Sequence, residues 1–227
     1  MKRVSHFDFK ALFILAALFA ATWLLWDTPL VYPIKIFVVM LHELGHAIAA
    51  LVTGGQVVSI QIFAEEGGVT FTRGGWPFVI LSAGYLGSLL AGSVLLYLSS
   101  RQRGGRGLMI GLAVLIAAST LLFVRNGFGV IYGLLAAAAL WFSADRLPTR
   151  VNLYLVRFIA VACCLYALLD IRSDLFTLAP VSGIVVNDAV ALSRLTGIPA
   201  LIWSSVWLIT SVWVLSTFLK SALRGAD

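Results

Sequence analysis

The chain has 227 residues, of which 61% are hydrophobic and 11% charged, and its mean hydropathy is +1.01. A soluble domain runs nearer half apolar and a quarter charged, so too few charges remain here to coat a soluble surface. The formal charge of +6 would suggest nucleic acid in a soluble chain. Here the basic residues are scattered through short loops, as membrane insertion favours, and no nucleic-acid partner is expected.

Seven stretches approach the roughly 20 apolar residues that a bilayer crossing needs: 11–26, 31–52, 76–98, 108–124, 128–142, 151–169 and 200–219. The first and fifth are short, so the expected architecture is an all-α bundle of about six to seven transmembrane helices. Lys2, Arg3 and Lys10 precede the first stretch in the manner of a signal peptide. With no small-residue cleavage site and a second apolar stretch following, it reads as a retained helix. The length suits a single membrane domain across 1–227, in contact with lipid throughout. Outside the spans the basic residues divide evenly between the two faces, so they set no orientation.

Two intervals do not read as spans. In 53–75 the runs Val57–Phe63 and Val69–Thr72 flank Glu65-Glu66-Gly67-Gly68, which predicts a β-hairpin. Unpaired strands cannot face lipid, so this hairpin should lie in the interface or line a cavity. The interval 171–199 carries Asp174 and Asp188 and reads as a long connection. Cys163 and Cys164 are neighbours in an apolar run; adjacent helical cysteines point apart, so no disulfide is expected. Glycines and small residues around Gly84, Gly87 and Gly92 predict close helix packing in the third segment, close enough for that helix to approach the helix of 31–52.

The chemistry is concentrated in His42-Glu43-Leu44-Gly45-His46. On a helix, residues four apart share a face, so both imidazoles can address one metal ion, and zinc suits two imidazoles with a carboxylate. Glu43 follows the first histidine, where it can serve as general base toward an activated water and return the proton to a leaving amine. Two of the three histidines in the chain fall in this one span, and ionisable groups at membrane depth are costly unless they function. A satisfied pair of core histidines is the plainer alternative.

The helix 38–50 resembles the active-site helix of the site-2-protease-type intramembrane zinc metallopeptidases, and is closest to their short site-2-protease-like branch. The resemblance extends to the glycine-rich hairpin, to Ser82-Ala83-Gly84-Tyr85-Leu86-Gly87, to 168–175, to Asn187-Asp188-Ala189 and to Thr196-Gly197-Ile198-Pro199. It implies a zinc site held by His42, His46 and an aspartate from a later segment, with Glu43 as base. Better-known members carry that aspartate before a glycine, and this chain has no Asp-Gly pair. Position therefore has to choose among Asp170, Asp174 and Asp188. Asp170 ranks first because its helix end falls on the same side as the C-terminal side of the His42/His46 helix; Asp174 and then Asp188 follow.

The function expected is hydrolysis of a peptide bond in or near a transmembrane segment of a membrane protein, in a compact chain that suits a bacterial cytoplasmic membrane. The rival is a catalytically silent metal-binding scaffold, against which an intact Glu43 argues.

Overall fold

The computed structural model describes residues 9–26, 28–100, 104–176 and 187–223. The elements run α1 (Phe9–Leu24), α2 (Tyr32–Val52), β1 (Gln56–Ile62), β2 (Gly68–Arg73), α3 (Pro77–Ser100), α4 (Gly105–Phe123), α5 (Gly127–Arg146), α6 (Thr149–Phe176), α7 (Asp188–Thr196) and α8 (Ala200–Leu223). All seven predicted segments form helices. Six of them, α2 to α6 and α8, are long and apolar enough to cross a membrane. The first, α1, has only 16 residues and falls short of that length. The fifth proves longer than its apolar core suggests, because the helix continues to Arg146.

Helix α2 is the centre of the molecule: 72% of its most apolar stretch is buried, against 17% for α8 on the periphery. Pro33 opens it, where a missing N–H costs nothing. Helix α3 crosses it at close range because both helices carry glycine at the contact. A Cβ on Gly45 would collide with the Ala83 carbonyl, and one on Gly87 would stand 3.2 Å from the Gly45 Cα. Between membrane helices, where lipid is as apolar as a side chain, such close backbone approach is what makes packing favourable. Gly92 faces α6 instead, with the Cys163 Cβ 2.8 Å from where its own would be.

The two strands pair antiparallel, Gln61 with Val69 and Ile60 with Thr70, with a bulge between Val57 and Ser59. The hairpin lies along the length of α2. At one end the Gly55 N–H donates to the Ala50 carbonyl at 2.7 Å; at the other the Tyr32 hydroxyl donates to the Ala64 carbonyl at 2.9 Å. There too the Lys35 ammonium meets the Glu66 carboxylate at 3.1 Å. The outer edge of β1 is closed by the α4–α5 connection. The Arg125 N–H donates to the Ile60 carbonyl at 3.0 Å, and the Asn126 amide both accepts from the Ile62 N–H at 3.0 Å and donates to its carbonyl at 2.6 Å. Those bonds satisfy strand groups that could not be left facing hydrocarbon.

The interval 171–199 is not one long connection. Helix α6 continues to Phe176, and α7 occupies 188–196. Asn187 caps α7, its side-chain oxygen accepting from the Ala189 and Val190 N–H groups, and Gly197 ends it in a left-handed conformation at φ 73° ahead of Pro199.

Candidate metal centre

His42, Glu43 and His46 come from the middle of α2. Helical spacing puts the two histidines on one face, and their Nε2 atoms approach to 3.1 Å. His46 has its orientation fixed from α3: its Nδ1 lies 2.6 Å from the Ile80 carbonyl, which can only accept. That hydrogen bond requires a proton on Nδ1, so in the neutral ring it is the Nε2 lone pair that faces inward. The Nδ1 of His42 is buried without a hydrogen-bond partner among the described residues.

The third group is Asp188, at the first turn of α7. Its Oδ2 is 3.1 Å from His42 Nε2 and 3.2 Å from His46 Nε2. Helix α7 is seated by a small cluster apart from the main core, in which Ala189 and Leu192 pack with Tyr85, Ile171 and Trp207. The Trp203 indole also donates to Thr196 at 3.0 Å, binding α7 to α8. Burial opposes ionisation of Asp188, but His46 and His42 beside it outweigh burial and hold its carboxyl well below the usual carboxylate range.

These three atoms form a nearly equilateral triangle. A tetrahedral ion with ligand bonds of about 2.0–2.1 Å spaces its ligands roughly 3.3 Å apart, which the triangle nearly matches. With His46 neutral, its Nε2 lone pair turns into the triangle toward a carboxylate oxygen, and a cation held between them would satisfy both. Space has been left as well: a Cβ on Gly84 would stand 2.5 Å from His46 Nε2 and collide with His42 Nε2. Two imidazoles and a carboxylate are the donor set of catalytic zinc sites. His42, His46 and Asp188 also form the one group among the described residues in which three metal-binding side chains converge.

Glu43 is buried at 4% exposure beside this triangle. Its Oε2 accepts from the Thr70 hydroxyl on β2 at 2.6 Å. The other two aspartates weighed from sequence, Asp170 and Asp174, lie on α6, and their side chains fall outside the described residues. The carboxylate that stands with the histidines is the one ranked third. Its signal was present in the sequence: Asn187 as a cap, then nine residues, then Gly197 and Pro199 bound a helix rather than a loop. Thr70 was not singled out at all, since nothing in a short strand indicates which helix it will face.

A multi-pass bundle whose most enclosed helix offers two histidines and a glutamate to a third, distant carboxylate defines a membrane protein of metallopeptidase type. A family model described as Peptidase M50B-like matches residues 15–218, and the chain belongs to that family, the site-2-protease family. No curated protein and no solved structure matches the chain. Its family and its six long apolar helices make it an integral, multi-pass membrane protein.

Proposed function

We propose that the protein is an intramembrane zinc endopeptidase that hydrolyses a peptide bond in or near a transmembrane segment of a membrane protein. The observation that carries this reading is the convergence of His42, His46 and Asp188 to within 3.1–3.2 Å of one another, with Glu43 buried on the adjoining residue. His42 Nε2, His46 Nε2 and Asp188 Oδ2 are the ligands in this reading, so Asp188 takes the place expected of Asp170.

A zinc ion held there would supply Lewis acidity to the attacking water and the scissile carbonyl. Glu43 takes a proton from that water on a carboxylate oxygen and returns it to the leaving amine nitrogen. It is suited to the task because among the described residues no lysine or arginine pairs with it, and the side-chain donor it meets there, Thr70, is neutral. Ile80 keeps His46 from turning, and Gly84 keeps the space between the imidazoles open.

Strand geometry supports a docking place for an unwound substrate. Ile60 and Ile62 spend their backbone groups on Arg125 and Asn126, so they face outward from β1. Their partners Thr70 and Gly68 therefore sit at non-hydrogen-bonded positions and turn their own N–H and C=O groups to the outer edge of β2. That edge adjoins Glu43, and an extended peptide added there would bring its backbone to the base.

Purified wild-type protein should carry about one zinc per chain, the stoichiometry of a three-ligand catalytic site, and His46→Ala should lose most of it. Equal zinc in both proteins would contradict the site.

A further inference from the structure

We propose that β2 orients the catalytic carboxylate: Thr70 is a positioning residue for Glu43, and Gly68 makes the space in which the carboxylate lies. The inference rests on the peptidase reading above. The Thr70 hydroxyl is 2.6 Å from Glu43 Oε2 and 3.0 Å from the Glu43 main-chain carbonyl. One hydroxyl has one proton to give, and the shorter contact, to the carboxylate, is the stronger claim on it. A glutamate side chain has three rotatable bonds, and a hydrogen bond from a fixed strand selects one arrangement of them. The strand is fixed, because β2 is laddered to β1 and β1 is held from its other side by Asn126.

Gly68 acts on the same carboxylate from two residues away. A Cβ there would stand 2.7 Å from both Cγ and Oε1 of Glu43 and 2.9 Å from its Cδ. Any larger residue would push the carboxylate out of its place. With Oε2 engaged by Thr70, Oε1 is the oxygen left for the proton of the reacting water. Thr70 and Gly68 are also the residues whose backbone groups form the outer edge of β2. One short segment thus receives the substrate strand and aims the base, so the scissile bond and the carboxylate share a frame.

Single-span peptide reporters in phospholipid vesicles, selected for cleavage by the wild type, test this with four proteins: wild type, Glu43→Gln, Thr70→Val and Thr70→Ser. Thr70→Val keeps the shape of the side chain and removes the hydroxyl. It should lower kcat by about 10- to 100-fold, the range for a lost charge-assisted hydrogen bond and a misplaced reacting group, with KM and zinc content unchanged. Thr70→Ser should restore kcat to within a few-fold. A hydroxamate peptide, which bridges metal and base, should also bind Thr70→Val more weakly than Thr70→Ser. Wild-type kcat in Thr70→Val beside an inactive Glu43→Gln would overturn the positioning role and leave the peptidase reading intact. Loss of zinc or of folding in Thr70→Val that Thr70→Ser repairs only in part would assign Thr70 a structural role instead. Cleavage by Glu43→Gln at the wild-type rate would remove Glu43 as the base and this inference with it, and a selection that yields no reporter cut by the wild type would remove the peptidase reading as well.

Discussion

Asp188 Oδ2 and His42 Nε2 lie 3.1 Å apart although 146 residues separate them in the chain. The histidine pair is local to one helix, but the site is complete only when α7 docks between α3 and α8. Metal affinity therefore depends on the tertiary placement of a nine-residue helix.

Asp188→Ala should cost more zinc affinity than the roughly 10–100-fold typical of losing a group behind a ligand, because it removes a ligand itself. Asp170→Ala should bind zinc nearly as the wild type does. Competition titration with a chelator, in detergent, measures both. A large loss in Asp170→Ala with Asp188→Ala spared would reverse the assignment.

Gly84→Ala should disrupt the metal centre without removing any donor. The added methyl meets His42 and His46 Nε2, so zinc content should fall while the bundle stays folded. Gly111→Ala in α4, where nothing lies within 4 Å of the new carbon, should leave zinc unchanged. Equal zinc in the two variants would mean the imidazoles yield easily, and that the space at Gly84 is incidental.

The closed edge of β1 leads to a third expectation. Asn126→Ala removes both bonds to Ile62 and leaves its N–H and C=O without them. A buried group stripped of its partner costs about 1–3 kcal/mol. Amide exchange at Ile62 should then accelerate by roughly tenfold or more, measured by mass spectrometry on the protein in micelles. Unchanged exchange would show that the Asn126 side chain does not hold the edge of β1.

Most of the bundle was legible because composition and apolar length suffice to mark helices in a bilayer. The hairpin was legible for a related reason, since Val57–Phe63 and Val69–Thr72 alternate around a glycine turn. His42, Glu43 and His46 could be placed together because helical spacing is local. Asp188 could not be chosen the same way: its partners are set by how α7 packs on Tyr85 and Trp207, which no local pattern encodes. Reading 171–199 as a connection also hid the capping signals at Asn187 and Gly197, since a short helix of low apolar content does not resemble a span. Thr70 and Asn126 reach their partners across 27 and 64 residues, and neither relationship leaves a trace in sequence.

The measurement that bears most directly on the account is zinc content and reporter cleavage, taken together, for purified Glu43→Gln. Glutamine keeps the shape of the side chain and removes the base, and Glu43 is not among the three converging metal-binding groups. General acid–base groups contribute about 10²–10⁴-fold, and one serving both proton transfers belongs at the upper end. The account predicts wild-type zinc with cleavage reduced by about that upper factor, and uncut membrane substrate retained on the variant. Wild-type cleavage by Glu43→Gln with zinc in place would contradict it, because the proton transfers could then not pass through Glu43.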